Sequence, residues 1–190
     1  LGNGGYDGYI LKFTSEGAYV EEHTTGGTSD DQIFSHTPTS DGGYILAGRS
    51  KSYGASDDDV WIYKVDSTYT EVWNNIYGGA GFDGATQITA TSDGDYLVVG
   101  STKANDASGD TQLGLLKIGS DGSLMWQLAY GGEDYDTGNM VLENSMDTIT
   151  IIGDTYSYGA GNGDAYLIET EGPVLVITNP TGGTTNPAPD

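Results

Sequence analysis

The sequence predicts an all-β protein made of tandem four-stranded units, each the size of a propeller blade. Three observations carry this. Landmark residues recur at intervals of 52 and 53 residues. Short apolar clusters alternate along the chain instead of following a helical period. Gly-Gly and Asp-Gly pairs punctuate those clusters, as expected of hairpins.

The repeat has four landmarks in one register. Lys12, Lys64 and Lys117 each close a similar apolar phrase, and Gly26-Gly27, Gly78-Gly79 and Gly131-Gly132 recur at the same intervals. Asp31, Asp83 and Asp136 stand four residues beyond the second glycine of each pair. Gly48, Gly100 and Gly153 each end an apolar run. These landmarks place units at about 7–58, 59–111 and 112–163, with residues 164–170 as the first strand of a further unit.

The second unit shows the reasoning for each element in order. Residues 60–65 form a continuous apolar run, the signature of a buried strand, and residues 66–70 are a polar turn. Residues 71–77 alternate, with Val72, Asn74 and Ile76 on one face and Trp73, Asn75 and Tyr77 on the other. A glycine loop over 78–84 leads to a Thr-rich strand at 85–91. Ser92-Asp93-Gly94-Asp95 is a tight turn, and residues 96–101 are a second buried strand. The same phrases recur as Tyr9-Ile10-Leu11-Lys12 and Tyr44-Ile45-Leu46-Ala47-Gly48 before it. After it come Gly114-Leu115-Leu116-Lys117, Ile149-Thr150-Ile151-Ile152-Gly153 and Asp164-Ala165-Tyr166-Leu167-Ile168-Glu169. No stretch carries a capped 3.6-residue period.

Two phrases of the second unit also carry a family resemblance. They are Tyr77-Gly78-Gly79-Ala80-Gly81-Phe82-Asp83 and Thr91-Ser92-Asp93-Gly94-Asp95-Tyr96-Leu97-Val98-Val99-Gly100-Ser101-Thr102. They resemble the SBBP and delta-60-like secreted β-propeller repeats of bacterial and archaeal cell-surface proteins. The resemblance spans residues 7 to about 169. It implies an extracellular, cell-surface scaffold or adhesin module with no catalytic residues. The third unit departs from the pattern, with Met146-Asp147-Thr148 in place of Asp41-Gly42-Gly43 and Asp93-Gly94-Asp95. The first has Glu21 where the others carry Trp73 and Trp126.

Composition narrows the partners. The chain has 28 acidic and 6 basic side chains, a formal charge of −22 that argues against nucleic acid and anionic membrane surfaces. No apolar run reaches the ~18 residues of a membrane span, so no membrane insertion is expected. Leu1-Gly2-Asn3-Gly4-Gly5 lacks the basic start and apolar centre of a signal peptide. The absence of cysteine removes disulfides, thiol nucleophiles and Cys-ligated zinc. High charge with modest hydrophobicity suits a disordered chain, but 14 Tyr, 3 Trp and 3 Phe set among clustered aliphatics supply a core.

Three units do not close a ring, since the smallest usual propeller has ~4 blades. The end units are therefore expected to offer apolar faces and open edges. These would be covered by further repeats of a longer chain, by a second copy completing a six-bladed ring, or by copies joined end to end in a filament. Residues 173–190, with Val174-Leu175-Val176-Ile177 followed by Pro/Gly/Thr-rich sequence, read as a linker or the lead-in to another domain or subunit.

Candidate chemistry is sparse. Asp31, Asp83 and Asp136 either fix their glycine loops as turn acceptors or ligate a hard cation such as Ca²⁺. Asp57, Asp59 and Asp110, and the clusters Asn105-Asp106 and Glu133-Asp134, are further oxygen ligands for that second reading. The recurrent lysines are expected to pair with carboxylates. Tyr53, Tyr77, Tyr130, Tyr135, Tyr156 and Tyr158 lie in or beside loops, where flat amphipathic rings contact protein or glycan, or cover edges. Trp73 and Trp126 are expected to pack between units. Glu143, unmatched in the other units, and the single His23 and His36 lack the partners of a hydrolytic site. The reading is a non-enzymatic structural or adhesive module that binds copies of itself or further repeats. A glycan- or protein-binding propeller fragment is the alternative.

Overall fold

The computed structural model describes residues 4–54, 57–103, 110–145, 148–159 and 163–170. The Asn105-Asp106 cluster, the third-unit turn at Met146-Asp147 and the 173–190 linker lie outside the described residues.

The described residues are all-β, with thirteen strands in four antiparallel sheets. Sheet I pairs β1 (Gly8–Phe13) with β2 (Tyr19–Thr25). Sheet II runs β3 (Asp31–Pro38), β4 (Tyr44–Ser50), β5 (Asp59–Val65) and β6 (Glu71–Tyr77). Sheet III repeats this with β7 (Gly84–Ala90), β8 (Tyr96–Thr102), β9 (Gln112–Ile118) and β10 (Leu124–Tyr130). Sheet IV has β11 (Asp136–Ser145), β12 (Thr148–Thr155) and β13 (Asp164–Glu169).

The sheets are cut from the repeat two strands out of phase with the sequence units. Sheet II takes the last two strands of the first unit and the first two of the second, and sheet III does the same one unit later. Period and strand positions follow the sequence, while the grouping of strands is set by packing.

That packing is lateral and in chain order. Each strand alternates, so sheets II and III have two apolar faces that their neighbours bury, and sheets I and IV are covered on one face. Ile10 of sheet I lies with Trp61, Tyr63, Leu46 and Val65 of sheet II. The other face of sheet II, Ile45, Ala47, Val60 and Ile62, packs on Ile88, Tyr96, Val98, Leu116 and Ile118 of sheet III. The remaining face of sheet III, Leu97, Val99, Leu113 and Leu115, meets Val141, Ile149, Ile151 and Ile168 of sheet IV. At ~1.5–3 kcal/mol for each large apolar side chain fully buried, these three layers are the main source of stability. Trp73 and Trp126 join them between sheets as expected, Trp73 against the II–III layer and Trp126 against III–IV.

Two of the four landmarks have steric causes. Gly48, Gly100 and Gly153 lie opposite a one-residue bulge in the first strand of their sheets. A Cβ there would fall 1.8 Å from the carbonyl oxygen of Gln32, 2.0 Å from that of Gly84 and 2.0 Å from that of Thr137. Gly26 and Gly78 have φ of 144° and 155°, and a side chain on either would strike Asp7 or Asp59 at 2.4 Å. Tyr69 occupies the left-handed turn position that Gly17 and Gly122 fill elsewhere, with φ 61°. Its ring stacks on Tyr44 at 6.1 Å and lies 4.8 Å from His23, contacts that offset the strained backbone.

Candidate functional site

The third landmark, the recurrent aspartate, is buried in every unit and holds its loop closed. Asp31 Oδ2 accepts the N–H of Gly27 at 2.7 Å and the Ser52 hydroxyl at 2.6 Å, while the Ser50 hydroxyl donates to Oδ1. Asp83 accepts from Gly79 N at 3.0 Å, from Lys103 N at 3.2 Å and from the Thr102 hydroxyl. Asp136 Oδ2 accepts from Gly132 N at 2.9 Å and from the Ser157 hydroxyl at 2.7 Å. Its Oδ1 has no donor among the described residues.

The three carboxylates sit in three separate loops and do not converge. Asp57 and Asp110 are exposed, and Asp59 is buried beside Gly78, across from Asp83. Among the described residues no three acidic or imidazole side chains gather in a metal-holding cluster.

The recurrent lysines, the fourth landmark, pair with carboxylates. Lys12 bonds Glu21 at 2.9 Å, and Lys64 on β5 and Lys117 on β9 bond Asp41 and Asp93 in the tight turns that lead into the neighbouring strands β4 and β8. The Lys117 ammonium, aided by the Thr91 hydroxyl, holds the Asp93 carboxyl down at about 2. Lys64 and Thr39 likewise hold Asp41 well below the usual carboxylate range.

Most loop tyrosines close edges. Tyr53 lies against Trp61 at 5.9 Å, and the Tyr158 hydroxyl bonds the Gly131 carbonyl at 3.0 Å. Tyr130 packs on Tyr158 and Tyr166. Tyr77 is buried, its hydroxyl donating to the Gly122 carbonyl of the next sheet at 2.6 Å. Glu143 accepts the Ser92 N–H at 2.7 Å, a tie between sheets III and IV. His23 lies beside Tyr69, and His36 is exposed beside Tyr44.

Tyr135 and Tyr156 are different. They belong to a cavity of about 600 Å³ where the first strands of sheets II, III and IV come together. Its walls are built from equivalent places in successive units. The bulges described above push out Phe34, Thr86 and Asn139, one from each of β3, β7 and β11. A bulge re-aims a side chain that the regular ladder would place elsewhere. One position on the second strand supplies Arg49, Ser101 and Asp154, and the glycine loops supply Phe82 and Tyr135. The register is constant while the side chains change from unit to unit.

The contacts inside are specific. Arg49 forks onto Gln32 Oε1 at 2.9 and 2.7 Å, and its guanidinium stands 5.6 Å from the Phe34 ring and 5.3 Å from Phe82. Thr86 donates to the Gly138 carbonyl, and the Ser101 and Thr137 hydroxyls share a 2.7 Å bond. Asn139 Nδ2 donates to Asp154 Oδ2 at 2.7 Å, and Tyr135 and Tyr156 meet edge to face at 6.0 Å. The set offers aromatic faces, one fixed cation and an amide–carboxylate pair.

Of the six loop tyrosines that the sequence offers, Tyr135 and Tyr156 line this cavity, and Tyr53, Tyr77, Tyr130 and Tyr158 do not. Phe34, Arg49, Phe82, Asn139 and Asp154 escape a search for recurring residues because they do not recur. Their sequence signal is indirect: a glycine inside an apolar strand, at 48, 100 and 153, marks a bulge opposite. No protein-family model matches the chain, and no curated protein matches it.

Proposed function

We propose that the chain is a non-enzymatic, extracellular β-repeat module of the cell surface, its sheets arranged as propeller-like blades. In this reading its role is structural or adhesive, exercised by joining further sheets of its own kind. The blade reading is supported by β7, which packs against β3 on one side and β11 on the other, so that first strands neighbour first strands. The acidic surface, with no cysteine, suits an exposed exterior protein. No described helix is long and apolar enough to cross a membrane.

One observation carries the assembly. The position held by Tyr63 in sheet II, Leu116 in sheet III and Ile168 in sheet IV always packs on the preceding sheet. In sheet I it is Leu11, which is 45% exposed together with Tyr9 and Phe13. The position held by Ile10, Ile62 and Leu115 always packs on the following sheet. In sheet IV it is Leu167, 65% exposed beside Ile152, Met140 and Leu142. The two open faces are thus the two halves of a joint made three times within the chain. Further repeats of a longer chain or a second copy supply the missing half, and a second copy does so in a head-to-tail contact that gives a ring if the rotation closes and a filament if it does not.

Mass measurement across a concentration series, with electron microscopy of the same samples, tests this. The chain is expected to associate into closed rings or filaments, and Leu167→Asp to return it to monomers without lowering its melting temperature. A monodisperse monomer that binds no apolar dye would refute the proposal.

A further inference from the structure

The side chains that hold the fold repeat along the chain, and those around the cavity do not. Asp31, Asp83 and Asp136 do one job three times, whereas Phe34, Thr86 and Asn139 occupy one place and present a ring, a hydroxyl and an amide. The same holds for Arg49, Ser101 and Asp154. These differing side chains meet on one concave surface, and that convergence of a ring, a hydroxyl, an amide, a cation and a carboxylate points to recognition. The volume of about 600 Å³ also falls within the ~300–1,000 Å³ of small-molecule sites.

We infer that this cavity binds an uncharged saccharide. The Tyr135 and Tyr156 rings would lie against the apolar faces of pyranose rings, and the Asn139–Asp154 pair would engage adjacent hydroxyls. Each hydroxyl both donates and accepts, and the pair presents an amide donor and carboxylate acceptors side by side. A ligand that only accepts, such as a phosphate or carboxylate, meets Asp154 and Asp164 in the lining, on a chain of charge −22. An ammonium finds the Phe34 and Phe82 faces already taken by Arg49 and is left with the carboxylates and the two tyrosines, the outcome that choline reads as a control. Tyr135 and Tyr156 are exposed at the site and available to stack. Asp154 and Ala165 stand two residues along from Ile152 and Leu167 on the same face of sheet IV, so the cavity borders the joint, and Leu167→Asp separates the two roles.

The test is calorimetry and saturation-transfer NMR with cello-, malto- and manno-oligosaccharides, with polygalacturonate and choline as charged controls. At least one neutral oligosaccharide is expected to bind saturably. Asp154→Ala and Tyr156→Ala should each weaken that binding tenfold or more at unchanged melting temperature, both residues being surface-exposed. Ala165→Trp, which fills the cavity from its wall, should abolish binding in a chain that still unfolds cooperatively, while Leu167→Asp should leave binding intact. Failure of every neutral oligosaccharide, preference for choline or polygalacturonate, or binding that survives Asp154→Ala and Ala165→Trp would overturn the inference.

Discussion

The side-chain carbonyl of Gln87 accepts the backbone N–H of Val141 at 2.5 Å, so a residue next to the bulge of one sheet bonds the main chain of the next. One unit earlier, Ser35 Oγ accepts the N–H of Ile88 at 3.2 Å. In sheet IV the equivalent residue is Met140, which is 45% exposed and has no such acceptor. The polar tie therefore runs between consecutive sheets and stops at the open face.

Replacing Gln87 by Leu removes the acceptor from the N–H of Val141, a residue buried in the III–IV layer. The expected cost is ~1–3 kcal/mol, the penalty for stranding a buried donor. Ser35→Ala, at a longer bond, should cost less, ~0.5–1.5 kcal/mol. Urea unfolding measures both, and an undiminished midpoint for Gln87→Leu would contradict the role assigned to the tie.

Asp83→Ala should cost ~1–3 kcal/mol, because Gly79, Lys103 and Thr102 all lose their acceptor in a buried loop. The loss is expected to be the same with Ca²⁺ and with chelator, since the donors are the chain's own. Wild-type stability should respond to salt in general, which screens the −22 charge, and not to Ca²⁺ in particular. A melting temperature raised by micromolar Ca²⁺ and restored to its starting value by chelator would instead assign these aspartates to a metal.

Acid should loosen the turns in a defined window. The Asp93 carboxyl is held at about 2 against an ordinary value of 3.8, chiefly by Lys117. A lowered carboxylate contributes stability that is fully present above its ordinary value and lost as pH falls from about 4 to about 2. Lys117→Gln should shrink the stability lost across that window, as seen in thermal melts at pH 5, 3.5 and 2.5. Identical acid profiles for wild type and variant would show that the pair is energetically silent.

The strands, their faces and the turn chemistry are legible in the sequence because each rests on local rules. The alternation of β6 places Trp73 and Tyr77 toward sheet III and Ile76 toward sheet I, as its period requires. The grouping of strands into sheets is not legible, because a periodic sequence carries no mark of where one sheet stops. The connectors at 51–58 and 78–83 are both short and carry glycine and aspartate, yet one joins two strands of sheet II and the other leads to sheet III. The cavity is hidden for the opposite reason. Its residues do not recur from unit to unit, so Phe34, Arg49 and Asp154 look like ordinary strand residues until the bulges and the stacking bring them together.

The central claim is that the open face bearing Leu11 and the open face bearing Leu167 fit each other. Because the chain has no cysteine, single variants Leu11→Cys and Leu167→Cys report that contact directly. Mixed under mild oxidation, they are expected to form the mixed 11–167 disulfide well ahead of either homodimer. Equal or preferential formation of the 11–11 or 167–167 species, or no cross-linking at concentrations where the chain associates, would contradict it.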